Sequence, residues 1–178
     1  MEATTRSIID FMTLHQAYAP WLAVIFAAAE TTALLSILIP STALLMAVGA
    51  AVSTGALPFL PIWIGAAVGA LIGSTFSWWL GHRYGAHVLT MWPLRDRPEL
   101  VDRTADAFRT WGILAVFIGH FFGPLRSVVF LFAGMTRMSF VRFQAVNVIG
   151  AISWAYVIPK TGELGGNIIG WFWNFLGF

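Results

Sequence analysis

Long runs of apolar residues without a charged side chain dominate the sequence, and short polar stretches separate them. No Asp, Glu, Lys or Arg lies between Glu30 and Arg83, and the same holds for residues 11–29, 110–125, 143–159 and 164–178. A helix satisfies its backbone hydrogen bonds internally and can therefore cross a bilayer, whereas barrel strands would alternate polar and apolar residues over about ten positions. That alternation is absent. The pattern predicts an all-α integral membrane protein.

Proline and glycine divide these apolar runs into pieces of unequal length. Residues 62–82 are long enough for a full span of about 20 residues, whereas the run from residue 21 stops at Pro40 and the next stops before Gly55. We therefore predict two re-entrant or broken helical hairpins beside several transmembrane helices. The predicted single membrane domain, 1–178, comprises an interfacial amphipathic segment 1–17, a first broken unit 21–55, a transmembrane helix 62–82, a surface helix 95–109, a second broken unit 110–136, and transmembrane helices 143–159 and 164–178.

Charges of both signs alternate through residues 95–109 and predict a helix lying on the membrane surface. A solvated connector without a binding role is the simplest reading of this helix. Arginines lie here and again at Arg137 and Arg142, and the positive-inside rule places such clusters on the cytoplasmic side. If residues 110–136 enter and return, both clusters lie on one face, which favours a re-entrant hairpin.

Composition agrees with a membrane protein, because 58% of residues are hydrophobic and only 10% are charged. There is no cysteine, so disulfides and thiolate metal sites are excluded, and the net charge of +2 is too small to suggest nucleic acid. We expect no metal and no cofactor. We also expect no enzymatic activity, since no nucleophile and base are paired in the candidate site. The first ten residues do not resemble a removable signal peptide.

Two residues of opposite charge lie within the interrupted apolar runs. Arg126 follows Pro124 closely, and Glu30 lies among small residues. A charge at bilayer depth is costly unless it meets a counter-ion, a ligand or water, and such residues commonly mark transport paths. Arg126 offers a planar fork of donors suited to phosphate, and Glu30 can carry a proton or compete for Arg126. A static ion pair that holds two broken segments together is the structural alternative.

Other candidate substrate-binding residues surround this pair. Gly123 and Pro124 allow a tight turn before Arg126, and His120 adds a positive charge to the site when protonated, or else is a neutral packing residue. A weak internal repeat aligns Pro40 with Pro124 and therefore Thr42 with Arg126, which adds Pro40 and Thr42 to the candidates. Asn147 is expected to bond a neighbouring helix, Trp154 to be an interfacial anchor, and Trp78, Trp79 and His82 to lie near the interface.

Several of these residues also form a motif. In the second half it comprises Phe117, Gly119, His120, Phe121, Pro124, Arg126, Ala133, Gly134, Met138, Phe143, Asn147, Gly150 and Trp154, and in the first half Glu30, Pro40, Gly49, Gly73 and residues 81–85. With this motif the chain resembles the DedA family of polytopic bacterial membrane proteins, which is related to the eukaryotic VTT-domain lipid scramblases. The resemblance covers about residues 20 to 160.

The chain departs from the family motif at several positions. Thr42 and Ser74 stand where the family usually has acids, His82 and His120 where it has arginines, and Phe130 where it has a second proline. Glu30 and Arg126 remain as the charged pair. The departures put strict transfer of proton coupling in question, and they suggest that His120 makes phosphate binding weaken as pH rises through the imidazole range.

The resemblance implies a lipid translocase of the bacterial inner (cytoplasmic) membrane that moves a lipid phosphate, such as undecaprenyl phosphate or a phospholipid. Glu30 and His120 are the candidate residues for coupling this movement to protons. Two alternatives stay open: a proton- or cation-coupled small-solute transporter, and a non-transporting scaffold that presents lipid to a partner enzyme. The expected partners are the lipid phosphate and membrane lipids. The lipid, its direction, the energy source and pairing as a homodimer are left open.

Overall fold

The described part of the fold combines two long helices of 26 and 36 residues with shorter helices of 6 to 14 residues. In the computed structural model the described residues are 16–32, 52, 57–91 and 94–175, with only the backbone described at Gln16, Gly123, Pro124, Glu163 and 165–175. The helices are α1 (Ala19–Thr31), α2 (Phe59–Tyr84), α3 (Pro98–Trp111), α4 (Leu114–Gly119), α5 (Gly123–Met135) and α6 (Phe140–Phe175), with 3₁₀ turns at Gln16–Tyr18, Gly85–Thr90 and Leu94–Asp96. Because these described residues contain no strand, the predicted all-α class is confirmed.

Two helical stretches, Phe59–Thr90 and Phe140–Gly162, are long and apolar enough to cross a membrane. At 1.5 Å per residue α2 alone measures about 39 Å, which exceeds a hydrocarbon core of about 30 Å. By contrast, α1 and α5 have 13 residues each and reach only about 20 Å. Neither of these two short helices is long enough to cross a bilayer by itself.

The long helix α2 is central, and it packs against α1, α5 and α6. Its contacts with α1 and α5 are made at glycines. A Cβ atom at Gly69 would overlap the carbonyl oxygen of Val24 on α1, and one at Gly134 on α5 would overlap the carbonyl oxygen of Trp78 on α2. Because no side chain intervenes, the backbones touch directly, as small residues allow in membrane helices.

The opposite surface of α2 carries large apolar side chains at intervals of four residues. These exposed side chains are Leu60, Ile64, Val68, Ile72 and Phe76. A spacing of four places them along one stripe of the helix. Exposed apolar residues in such a row fit contact with lipid chains rather than with water.

The second broken unit, predicted as 110–136, consists of α4 and α5 with a non-helical break at residues 120–122. Pro124 lies in the first turn of α5, where its fixed φ and missing N–H suit a helix start. The charged segment predicted as 95–109 corresponds to α3, whose charged side chains face outward and whose Thr104 is buried. The predicted span 62–82 lies within α2, which begins three residues earlier and ends two residues later.

The prediction of separate helices 143–159 and 164–178 is wrong, because α6 continues unbroken to Phe175 with Pro159 inside it. A proline removes one backbone donor, and helices in membranes tolerate that loss when nearby groups compensate. The polar residues taken for a linker lie on the helix instead. The Thr161 hydroxyl donates to the Ile158 carbonyl (2.6 Å), and the Lys160 ammonium lies 4.9 Å from the Phe59 ring centroid.

The interfacial assignment of Trp78 is also wrong. Trp78 is buried in a stack with His82 and Phe143, at ring-centroid distances of 4.9 and 5.8 Å, whereas its neighbour Trp79 is exposed. Adjacent helical residues point about 100° apart, so only one of two consecutive tryptophans can face outward fully. Residues 1–15 of the predicted interfacial segment, and Pro40 and Thr42 of the first broken unit, lie outside the described residues.

Replacing Gly69 with leucine is expected to lower the stability of the folded protein by about 1–3 kcal/mol, because the added side chain meets the α1 backbone. Thermal unfolding of the detergent-purified variant measures the loss. Ala145→Leu is the matched control, since Ala145 is exposed on α6. Equal unfolding midpoints for the two variants would contradict direct backbone packing between α1 and α2.

Candidate functional site

The two charges singled out in the sequence meet inside the protein. Arg126 lies in the first turn of α5 and has no exposed surface, while Glu30 lies in the last turn of α1 and is 4% exposed. Arg126 Nη2 and Glu30 Oε1 form an ion pair. The two short helices therefore approach each other end to end in this region and are held by opposite charges.

The guanidinium of Arg126 also lies over an aromatic ring. Its Cζ atom is 4.3 Å from the ring centroid of Trp154 on α6, which is itself buried. A cation over an indole face is attracted by the ring quadrupole, and the attraction is stronger when both groups are desolvated. Trp154 is thus part of the site, and its assignment as an interfacial anchor is wrong. The spacing of Asn147, Gly150 and Trp154 along one face of α6 was the signal that could have revealed it.

The described residues use only part of the hydrogen-bonding capacity of Arg126. Within the part of the chain that the structure describes, Arg126 Nε and Nη1 are buried and have no hydrogen-bond acceptor. An unsatisfied buried donor costs about 1–3 kcal/mol, and more when the group is charged. Among the described residues, Glu30 therefore occupies Nη2, whereas Nε and Nη1 remain as donors for an anionic group.

The helix ends add to the electrostatics of the site. A helix carries partial positive charge at its start and partial negative charge at its end. Arg126 lies at the start of α5 and Glu30 at the end of α1, so each charge faces the unfavourable end of its own helix. The pairing between the two residues offsets both effects. An anion placed near the first turn of α5 would be favoured by the helix and by Arg126 together.

Hydroxyl groups satisfy the carbonyls at the buried end of α1. Thr31 Oγ1 donates to the Ala27 carbonyl (2.7 Å) and Thr32 Oγ1 to the Ala28 carbonyl (2.8 Å). Ser77 of α2 donates to the Thr31 carbonyl (2.8 Å). These bonds supply donors to carbonyls at the buried end of α1, which lowers the cost of ending a helix away from water. The sequence reasoning did not single out Ser77.

His120 is buried at the end of α4, on the α6 side of the site. Its Nδ1 atom lies 2.9 Å from the Val116 carbonyl oxygen, and its ring centroid is 4.7 Å from that of Phe130. The ring packs on Gly150 of α6, where a Cβ atom would overlap it. His120 and Arg126 are close enough for the charge of one to act on the other. The structure therefore brings His120 next to the ion pair.

The remaining predicted site residues fall into two groups. Gly123 and Pro124 form the start of α5, directly before Arg126. Pro40 and Thr42 lie outside the described residues. Among the residues that are described, no group of three His, Asp or Glu side chains could hold a metal ion.

An apolar cavity of about 150 Å³ lies beside the break between α4 and α5. Gly119, Phe122 and Leu125 line one side of it, and Ala107 and Trp111 of α3 line the other. The cavity separates α3 from the turn that precedes Arg126. Its lining is suited to hydrocarbon rather than to a charged group.

The short helices α1 and α5 meet at a buried ion pair, and the helices α2 and α6 beside them are long enough to cross a bilayer. These features define an all-helical membrane protein with a charged interior site. The VTT domain model matches residues 39–164, so the chain belongs to the VTT-domain family and the predicted DedA resemblance is confirmed. Arg126, His120 and Trp154 lie within the matched region, and Glu30 lies just before it.

The inner membrane protein YabI of Escherichia coli K12 is 31% identical over 151 residues, which cover 84% of this chain and 59% of YabI. An uncharacterized membrane protein of Buchnera aphidicola (strain Bp) is 26% identical with the same coverage. The uncharacterized membrane protein Rv2637 of Mycobacterium tuberculosis is 35% identical over 101 residues, or 53% of this chain and 46% of Rv2637. The chain thus spans about half to three fifths of these relatives. No solved structure matches it.

Replacing Arg126 with leucine is expected to destabilise the protein by about 3–5 kcal/mol, because it leaves the Glu30 carboxylate buried without its counter-ion. The double variant Glu30→Gln/Arg126→Leu should be more stable than Arg126→Leu alone, since no lone charge then remains. Chemical unfolding in detergent measures both variants.

The exposed pair of Arg109 and Asp106 on α3, with an N–O distance of 2.6 Å, gives a matched control. Arg109→Leu should cost no more than about 1 kcal/mol, because solvent screens exposed pairs. Similar losses for Arg109→Leu and Arg126→Leu would contradict a special role for the buried pair.

Proposed function

We propose that the protein is a translocase that moves a lipid phosphate, such as undecaprenyl phosphate or a phospholipid, across the bacterial inner membrane. The observation that carries this proposal is the buried Arg126, whose Nε and Nη1 atoms have no acceptor in the described part of the chain. A fully buried guanidinium with free donors is suited to bind an anionic head group. The description of YabI as an inner membrane protein supports the location.

Phosphate is the anion that suits this geometry best. Arginine offers pairs of parallel N–H donors, and a phosphate presents oxygens at matching spacing. The first turn of α5 adds backbone N–H groups and the positive end of the helix dipole on the same side. Trp154 covers one face of the guanidinium, so the head group approaches along its edge.

Glu30 competes with the substrate in this mechanism. While its carboxylate is bound to Arg126 Nη2, one donor edge is occupied and the site is neutral overall. Arrival of a phosphate, or of a proton on Glu30, weakens the ion pair and makes that edge available. Each departure of the phosphate then lets Glu30 return, so the charge on Arg126 is balanced at every stage.

Short helices reduce the distance that the head group must travel. Since α1 and α5 each reach about 20 Å, their ends bring polar groups to a depth where lipid alone offers none. The apolar surfaces of α2 and α6 remain in contact with hydrocarbon, and the lipid tail can stay there during transfer. The head group alone therefore needs the protein interior.

Arg126→Ala is expected to slow transfer of labelled undecaprenyl phosphate across proteoliposomes about 10- to 100-fold, which corresponds to the loss of one or two charge-assisted hydrogen bonds. Arg126→Lys should recover only part of the rate, because a lysine keeps the charge without the planar fork. Arg109→Ala, which changes an exposed arginine of α3, should leave the rate unchanged.

A parallel assay with a labelled zwitterionic phospholipid distinguishes the two lipid classes. Unchanged transport by Arg126→Ala would overturn the proposal. Proton flux that does not depend on lipid would instead favour a proton-coupled solute transporter that uses Glu30. Absence of any transfer by the wild-type protein, together with a copurifying enzyme, would favour the scaffold.

A further inference from the structure

A row of polar side chains connects the buried His120 with the outer side of α2. Gln144 Nε2 lies 2.7 Å from Thr75 Oγ1, and Asn147 Nδ2 lies 2.9 Å from Gln144 Oε1. The amide of Asn147 in turn lies beside the His120 imidazole. Four side chains from three helices thus form one path through an otherwise apolar region.

Two neighbouring buried atoms in this path are not matched as donor and acceptor in the described part of the chain. Within the described residues, neither His120 Nε2 nor Asn147 Oδ1 has a hydrogen bond of normal geometry, although the two side chains are neighbours. Buried polar atoms are nearly always satisfied, and such a gap calls for a physical explanation. Both atoms belong to the same junction, between α4 and α6, so one explanation should account for both.

The Val116 carbonyl fixes the proton on one nitrogen of His120. A carbonyl oxygen only accepts hydrogen bonds, so Nδ1, at 2.9 Å, must carry a hydrogen and donate it. In the neutral imidazole Nε2 is then an acceptor. Asn147 Oδ1 is also an acceptor, and two acceptors cannot bond each other. With the amides oriented as the distances give them, Nε2 can bond Oδ1 only if it carries a second proton.

Reversing the amides gives an equally complete arrangement for the neutral ring. The oxygen and nitrogen of an Asn or Gln amide have the same shape and exchange by a half-turn of the group. The Thr75 hydroxyl then donates to Gln144, Gln144 to Asn147, and Asn147 to His120 Nε2. In the charged state the same contacts run in the opposite direction, from His120 to Thr75. Each charge state of the imidazole therefore has a hydrogen-bond arrangement that satisfies every atom in the row.

We propose that His120 is a reversible proton-binding site, and that Asn147 and Gln144 are positioning residues whose amides turn over when the proton binds or leaves. The proton adds to the lone pair of Nε2, and no other bond changes. The outer end of the row, Thr75, lines an apolar groove of about 590 Å³ with Trp78 and Phe140. The orientation of the amides thus depends on the charge state of His120, and the row ends on the lipid-facing side of α2.

The charged surroundings of the ring are few. Arg126 of α5 opposes the proton, and Glu30 of α1 compensates for Arg126 through their ion pair. The residues of α6 at the ring, Asn147 and Gly150, do not titrate, nor does any other residue of α4. From α2 the row reaches Thr75, which also does not titrate. The amide row is therefore the main means by which the described residues can stabilise an imidazolium at this position.

Nitrogen-15 NMR of histidine-labelled protein in nanodiscs tests the proposal, because the shifts of Nδ1 and Nε2 distinguish the two neutral tautomers and the imidazolium. His120→Gln identifies the His120 signals. At high pH we expect the Nδ1–H tautomer, and at low pH the imidazolium. Finding the Nε2–H tautomer at high pH would overturn the proposal, since Nδ1 would then not donate to Val116. The measurement needs no lipid substrate, so its failure is independent of the transport function.

Two nearly isosteric variants test the positioning role. Asn147→Leu removes the acceptor of the charged state and should lower the proton affinity of His120 roughly tenfold, because hydrogen bonds to charged groups are the stronger ones. Asn147→Asp supplies a carboxylate instead and should raise that affinity at least about tenfold. Opposite shifts cannot come from general loosening of the fold.

The exposed His87 provides an internal control in the same spectra, because its signals should be the same in every variant. If Asn147→Leu fails to give a monodisperse protein, Gln144→Leu is measured in its place, because Gln144 is only half-buried. Gln144→Leu should lower the proton affinity of His120 about threefold, since only the second hydrogen bond of the row is lost. Unchanged titration of His120 in Asn147→Leu and Asn147→Asp would overturn the proposal. The same holds for Gln144→Leu where it replaces Asn147→Leu.

Discussion

The ion pair between Arg126 and Glu30 is the interaction on which the arrangement of the helices depends. A charge in a low-dielectric interior is tolerated only with a partner, and each of these two residues lies at the end of its helix where the dipole is unfavourable. Neither α1 nor α5 is long enough to place its buried end in water. The pair therefore determines which helix ends meet, and α6 closes the site by placing Trp154 against the guanidinium.

Close backbone packing makes this meeting possible. Glycines along α2 let α1 and α5 approach until backbone touches backbone, and Gly73 does so next to the end of α1. Ser77 then reaches the Thr31 carbonyl from one helical turn farther along α2. The same helix thus supplies contact surface and hydrogen bonds, so the charged site is held by rigid elements rather than by loops.

Much of this could be predicted from the sequence, because charged residues and prolines are conspicuous in apolar runs. Arg126 and Glu30 were identified from their unfavourable location alone, and the break before Pro124 from its helix-breaking residues. Trp154 was misjudged, since tryptophan is common at interfaces and only tertiary packing shows that an arginine covers it. Pro159 was taken for a helix end because proline lacks a backbone donor. A membrane helix can nevertheless continue through a proline when nearby groups compensate for that donor.

The row of polar side chains from His120 to Thr75 could not be assembled from the sequence, although Asn147 was expected to form a hydrogen bond. Gln144 and Asn147 are one helical turn apart, which the sequence shows, but their partners come from helices distant in the chain. Polar residues in a membrane helix indicate that some partner exists without indicating which. Only the packing of α2, α4 and α6 identifies the partners.

Glu30 precedes α2 in the sequence and Arg126 follows it, and this order has a consequence for biogenesis. The ribosome releases Glu30 well before Arg126 is made, and during that interval the carboxylate has no guanidinium to neutralise it. The paired site can therefore form only after both short helices have been synthesised, because the counter-ion of Glu30 belongs to α5.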